Sequence, residues 1–275
     1  MYKLLKQMLL VCVCLFALTG QALADPLSDA KRAYDAGNYA NAAKLFRPLA
    51  KQGNARAQSI LGFMYDQGQG VPQDYKEAAK WFQLAAEQGD AGAQAKLGFM
   101  YINGQGAPQD YKAAVKWYQL AAEQGNAIAQ FNLGTMYELG QGVRQDYKEA
   151  AKWYRLAAKQ GEALAQFRVG FLYDNGQGAP QDYNEAAKWY RLAAEQGDAL
   201  AQANLGLMYS NGQGAPQDYV LAYMWTNIAA ANAPARELKQ IANYRDSIAK
   251  NITPKQIVEA QERAIICTAN TFKGC

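Results

Sequence analysis

The chain has 275 residues, 50% hydrophobic and 19% charged, which excludes both a disordered tail and a small disulfide-stapled domain. It contains no histidine, so Ser-His and Cys-His catalytic pairs, an imidazole base and histidine metal sites are excluded, and no cofactor is expected. A formal charge of +4 falls to +2 without Lys3 and Lys6, too little for a phosphate-backbone binder, so no nucleic-acid partner is expected.

Lys3 and Lys6 precede an apolar run from Met8 to Leu18, and Ala22-Leu23-Ala24 offers small residues ahead of Asp25. The pattern predicts a signal peptide over 1–24, cleaved after Ala24, and hence a periplasmic or secreted protein. The run falls short of the roughly 20 residues a membrane-spanning helix needs, and no later segment is continuously apolar, so the mature chain is expected to lack a transmembrane segment. Cys12 and Cys14 leave with the leader. Cys267 and Cys275 remain in an oxidising compartment, carry no Cys-x-x-Cys motif, and are expected to form a structural disulfide near the C-terminus.

Residues 25–52 read as a short helix pair turning at Gly37-Asn38, with Ser28 as the expected cap of its first helix. From 53 to 234 a period of 36 residues takes over. Gly53, Gly89, Gly125, Gly161 and Gly197 each precede an acidic or Asn residue and then Ala-x-Ala-Gln, and Trp81, Trp117, Trp153, Trp189 and Trp225 keep the same spacing. Each unit predicts two helices. Helix A of the first unit starts at the cap Asn54 and carries Ala55, Gln58, Leu61, Gly62 and Tyr65 at helical spacing. Helix B follows Gly68-Gln69-Gly70-Val71-Pro72, with Asp74 as cap, Glu77 as its reciprocal partner, and Ala78, Trp81, Phe82, Ala85 and Ala86 on its apolar face. Asp146/Glu149 and Asp182/Glu185 repeat that box. Two further helices, 235–250 and 254–267, are expected to cap the array over 235–275; Thr253, Pro254 and Gln256 open the second. Arg236, Glu237, Lys239, Arg245, Lys250, Glu259, Glu262 and Arg263 are expected to give that end its polar face.

The pattern Gly-(Asn/Asp)-Ala-x-Ala-Gln-x-x-Leu-Gly-x-Met-Tyr-x-x-Gly-x-Gly-Val-Pro-Gln-Asp-Tyr-x-x-Ala-x-x-Trp-Tyr-x-x-Ala-Ala, seen around Gly53 to Ala86 and four times more, resembles the Sel1-like repeat over about residues 53–232. Residues 27–52 resemble a tetratricopeptide-type pair. The resemblance implies an all-α fold, a right-handed α-solenoid of antiparallel helix pairs, in a family whose members act as adaptors in protein complexes. It supplies no family-wide catalytic residue. Some cysteine-rich relatives are described as β-lactamase-like, but their repeats carry a Cys pair and these carry none.

Several motifs admit a chemical reading that the repeat displaces. The Gly-Gln-Gly-x-Pro-Gln-Asp loops lack a Gly-Lys-Ser/Thr ending and recur between two helices, as turns do, rather than once after a strand as a phosphate cradle does. Ser28-Asp29-Ala30-Lys31 matches Ser-x-x-Lys, yet no Lys-Thr-Gly is present. Asn251-Ile252-Thr253 is a formal sequon followed by Pro254. Lys80, Lys116, Lys152 and Lys188 read as the solvated face of helix B.

Comparing the repeats with one another marks a surface. Counted from each Gly, positions 3, 5, 6, 9, 10 and 13 are nearly fixed, whereas 4, 8, 11 and 15 vary. At about 100° per residue the variable positions span an arc of about 60° on helix A. In stacked helix pairs of this kind the A helices line the concave side, so the stripe is expected to floor a groove for a protein or peptide partner. Its residues include Arg56, Ile60, Phe63, Lys96, Phe99, Asn132, Arg168, Phe171, Asn204 and Leu207, a mixture of apolar anchors and polar surroundings common at interfaces. Two other readings stand beside it: a structural protein associated with peptidoglycan, and a β-lactamase-like hydrolase.

Overall fold

The computed structural model describes residues 25–275, so the leader expected over 1–24 lies outside the described residues. Among these there are 14 α-helices and no strand. Helices α1 (Pro26–Asp35) and α2 (Tyr39–Lys51) precede five pairs. These are α3 (Ala55–Gln67) with α4 (Tyr75–Glu87), α5 (Ala91–Asn103) with α6 (Tyr111–Glu123), α7 (Ala127–Leu139) with α8 (Tyr147–Lys159), α9 (Ala163–Asp174) with α10 (Tyr183–Ala194), and α11 (Ala199–Asn211) with α12 (Tyr219–Asn232). Helices α13 (Ala235–Ala249) and α14 (Pro254–Ala269) follow. The described residues up to Gln88 form one compact unit and Gly89–Cys275 a second. Within each unit consecutive helices as far as α13 pack against each other, and α14 packs on α12, which thus bears both α13 and α14, the arrangement of an α-solenoid.

Local chemistry sets the helix ends. Asn54, Asp90, Asn126 and Asp198 cap the A helices, each accepting a bond from the backbone N–H three residues on. Glu162, one methylene longer, makes no such bond. Asp74, Asp110, Asp146, Asp182 and Asp218 cap the B helices, each accepting from two backbone N–H groups. The reciprocal bonds expected from Glu77, Glu149 and Glu185 do not form: these carboxylates turn along the helix to Lys80, Lys152 and Lys188 three residues on, where a cation competes better than an N–H already served. The first helix is capped by Asp25, with Ser28 inside it, because Pro26 fits the first helical position. The box formed by Thr253 and Gln256 is complete.

Glycine at the tenth position of helix A lets the paired B helix press in. A Cβ on Gly98, Gly134 or Gly170 would lie 2.8 Å from the ring of Tyr118, Tyr154 or Tyr190, so an aromatic ring packs directly on bare backbone. Those three tyrosines are fully buried.

A buried glutamine at the sixth position ties one pair to the next. Gln130 Nε2 donates to the Ala122 carbonyl at the end of α6 (3.1 Å), Gln166 to Ala158 (3.2 Å), and Gln202 to Ala194 (3.1 Å); in the first unit Gln58 donates to Ala50 (2.9 Å). Four of the sixth-position glutamines accept from a glutamine ending their own B helix, Gln88 to Gln58 (2.7 Å), Gln124 to Gln94 (2.8 Å), Gln160 to Gln130 (2.8 Å) and Gln196 to Gln166 (2.7 Å), whereas Gln202 accepts from Asn232 (3.4 Å).

At the C-terminal end, the polar residues expected there share the surface with exposed Leu238, Val258, Ile265 and Ile266. Cys267, buried in the face of α14 that meets α12, is bonded to Cys275, with Cα atoms 5.5 Å apart. The closed loop places Phe272 against Gly197.

Replacing Gln130 with Leu removes its bonds to the Ala122 carbonyl and the Gln160 amide, which keep the Gly125 N–H and the Gly125 carbonyl respectively, and is expected to cost about 0.5–1.5 kcal/mol. Urea unfolding of Gln130→Leu beside the parent measures it; equal midpoints would remove the glutamine from the stacking account. Cys267 and Cys275 are expected to resist alkylation in non-reduced protein, and Cys275→Ser to cost under about 3 kcal/mol, because the loop is short and terminal. Intact-mass measurement after iodoacetamide treatment reads the first and thermal melting the second; two modified thiols would contradict the pairing.

Candidate functional site

The variable stripe lies at the surface throughout. In the second unit Phe99 is 48% exposed, Ile128 61%, Leu139 57% and Leu164 56%, large apolar side chains left in water on α5, α7 and α9. Lys96, Asn132, Arg168, Phe171, Asn204 and Leu207 are half-buried. In the first unit Arg56 is exposed on α3, with Ile60 and Phe63 half-buried beside it.

The stripe is not uniformly free of packing. Phe171 and Leu200 pack on the core around α10 and α12, and Ile60 on the core of the first unit. Position 8 reaches back to the preceding repeat: Arg168 Nη1 lies 3.5 Å from Glu138 Oε1, and Asn204 hydrogen-bonds Tyr190. Asn103, Asn132 and Asn175 each donate one amide hydrogen to the carbonyl four residues back, at Phe99, Ile128 and Phe171.

Sequence comparison passed over position 14. There Glu138 and Asp174 receive the phenolic O–H groups of Tyr154 (2.5 Å) and Tyr190 (3.2 Å), sixteen residues on. The Thr135 hydroxyl lies 3.0 Å from the same phenolic oxygen. Burial, and then the bond to Glu138, holds the Tyr154 phenol far above its ordinary range, so it is a neutral donor. Burial likewise raises the Asp174 carboxyl. The second repeat breaks the pattern: position 14 is Ile102, position 11 is Phe99, and the buried Tyr118 hydroxyl has no protein partner. No clear signal for this pairing existed in the sequence, since Tyr at position 30 accompanies Ile102 as well as Glu138 and Asp174, and Asp66 accompanies Phe82.

The residues of the other motifs stay apart from this face. Lys80, Lys116 and Lys152 lie over the rings of Trp81, Trp117 and Trp153 at 5.8, 5.7 and 5.1 Å. Lys31 pairs with Asp35 at 2.7 Å along α1. The Gly-Gln-Gly loops join helix A to helix B in each pair. No group of metal-binding side chains and no membrane-spanning helix occurs among the described residues.

Five successive segments, 55–90, 91–126, 127–162, 163–198 and 199–233, match the model of the Sel1 repeat. The chain belongs to the Sel1 repeat family. A Sel1 repeat protein from Oxalobacter formigenes is 35% identical, with a TM-score of 0.75 over 86% of this chain and 97% of that one. The c5321 protein, described as a protective antigen present in uropathogenic Escherichia coli strains and displaying an SLR fold, is 29% identical; the TM-score is 0.68 over 87% of this chain and 64% of that one. No curated protein matches the chain closely enough to count as a relative.

Within these Sel1 repeats the tyrosines of helix B predict opposite responses to the same change. Tyr118→Phe removes a hydroxyl with no protein partner and is expected to be neutral or stabilising. Tyr154→Phe withdraws a donor from Glu138, whose side chain is only 13% exposed, and is expected to cost about 1–3 kcal/mol. Thermal unfolding of both variants decides, and equal losses would refute the assignment.

Proposed function

We propose that the protein is a periplasmic or secreted Sel1 repeat scaffold that holds a protein or peptide on the exposed face of its A helices, by shape and apolar contact rather than by chemistry. The reading rests on Phe99, Ile128, Leu139 and Leu164, which stand in water on the one face of the second unit that varies between repeats. Covering such a side chain stabilises a complex by roughly 1.5–3 kcal/mol, whereas exposed it contributes little to the stack. Asn103, Asn132 and Asn175 border these anchors with amide groups suited to a polar rim. The groove on the concave side is therefore proposed on the second unit, between the rows at positions 4, 11 and 15. The leader pattern and the Cys267–Cys275 bond support an oxidising compartment.

The test uses a photo-crosslinking phenylalanine analogue at position 99, 164 or, on helix B, 152, in the full chain within its native envelope. A shared adduct at 99 and 164 and none at 152 is expected. Phe99→Ala combined with Leu164→Ala should reduce capture of the adduct partner by about tenfold or more, with unchanged circular dichroism. Trp153→Ala should instead melt the protein, because truncating a buried Trp costs roughly 3–5 kcal/mol. Adducts at 152 alone would move recognition to helix B. Binding to purified sacculi that the double variant leaves intact would favour the peptidoglycan reading.

A further inference from the structure

Between α2 and the Gly70-Val71 turn of the first unit lies an open notch of about 470 Å³, lined by Ala40, Ala43, Lys44, Arg47, Pro48, Lys51, Gly70 and Val71. Lys44, Arg47 and Lys51 occupy one face of α2 at helical spacing, so three cations border a floor of methyl and ring carbons. The same notch recurs four periods later, about 420 Å³ between α10 and Gly214, with Ala187, Lys188, Arg191 and Leu192 at the positions of Ala43, Lys44, Arg47 and Pro48. The arginine is held alike in both: Arg47 donates to the Tyr65 hydroxyl at 2.9 Å and Arg191 to that of Tyr209 at 2.6 Å. The repeat thus builds the notch, and the two copies differ in charge.

In the later copy Glu185 pairs with Lys188, and Glu195 stands where Lys51 does. In the earlier copy these two positions are Asn41 and Lys51. Helices α4, α6, α8 and α10 each carry an acid at one or both places, in Glu77 and Glu87, Glu123, Glu149, and Glu185 and Glu195. Helix α2 carries none, and neither Lys44 nor Lys51 has an ionic partner. Pro48 adds a second difference. Its ring replaces the flexible Leu192 of the later copy with rigid apolar carbon on the floor of the notch.

We infer that this notch binds an acidic segment of a partner polypeptide, its carboxylates on Lys44, Arg47 and Lys51 and its small apolar side chains on the floor of Ala40, Ala43 and Pro48. A polypeptide carries carboxylates and small apolar side chains on a strand narrow enough to enter a notch, whereas the headgroup plane of an anionic bilayer meets only its rim. The volume falls in the range of ligand clefts. The site is separate from the proposed A-helix face, and either can fail without the other.

The probe is a fluorescein-labelled peptide Glu-Leu-Glu-Val-Glu, with Gln-Leu-Gln-Val-Gln as its uncharged counterpart, titrated into the mature chain at low salt. Salt-sensitive anisotropy for the acidic peptide and none for the counterpart is expected, with amide shifts centred on Gly70 and Val71 in proton–nitrogen correlation spectra. Lys44→Gln and Lys51→Gln should each weaken binding by about tenfold, and Lys188→Gln should not. Circular dichroism confirms that each variant is folded, as exposed lysines permit. Equal binding of both peptides, indifference to Lys44→Gln and Lys51→Gln, or shifts elsewhere would overturn the inference. So would phosphatidylglycerol vesicles that bind through these lysines when the peptide does not bind.

Discussion

The buried glutamine at the sixth position of each repeat is the interaction on which the stacking depends. The Ala122 carbonyl near the end of a B helix accepts the N–H of the closing glycine and keeps a second lone pair, and in a stacked array that end meets the next pair. A long side-chain amide donates to such a carbonyl and accepts a further bond at the same time, with a reach that a Ser or Thr hydroxyl lacks. Gln130 does both, joining the end of α6 to its own helix and, through Gln160, to the end of α8. Three helix ends are thereby held to within a hydrogen bond. Leu would serve neither bond, and Glu would lack the donor. The constancy of the 36-residue period follows, because one inserted residue would carry the amide away from its carbonyl.

The glutamine sets spacing, and the bare backbone at the tenth position sets depth. With Gly134 facing it, the Tyr154 ring enters far enough for its hydroxyl to reach position 14, one turn further along helix A. A buried hydroxyl needs a partner there, and the repeats meet that need unequally: an acid serves Tyr154 and Tyr190, while Tyr118 has none. Arg168, from the following repeat, then answers the charge of Glu138. Identity at position 8 is in this case dictated by the neighbouring repeat.

What the sequence revealed divides along the same line. Helix pairs, the turn at Gly37-Asn38, the caps at Asn54 and Asp74 and the box at Thr253 were legible because each is written within four residues. Ser28 was misread for a local reason too: two capping residues lie three apart, and Pro26 decides between them. Glu77 was misread because two partners, a backbone N–H and Lys80, stand within reach, and only geometry ranks them. The Tyr154–Glu138 and Arg168–Glu138 contacts span sixteen and thirty residues, and the repeats do not change in step at these positions, since Tyr118 accompanies Ile102 and Asp66 accompanies Phe82, so they were not legible. The stripe itself was found by its variation, which marks a surface without distinguishing residues free of the stack from those held by it.

That distinction separates recognition from stability within one helix face. Arg168 is bound to a nearly buried carboxylate, so changing it disturbs the stack along with anything the face touches, and a loss of binding there has two causes. Phe99, Ile128, Leu139 and Leu164 point into water. A Sel1 array can therefore be retuned at exposed members of the stripe such as Phe99, Ile128, Leu139 and Leu164 with little cost to its own stability, whereas Thr135, Phe171 and Leu200 at equivalent positions are tied to buried neighbours and Arg168 to the repeat before it. Repeats that duplicate as whole units keep the glutamine and glycine contacts automatically, and must re-establish a charge match wherever, as at Arg168 and Glu138, position 8 meets an acid of the repeat before it.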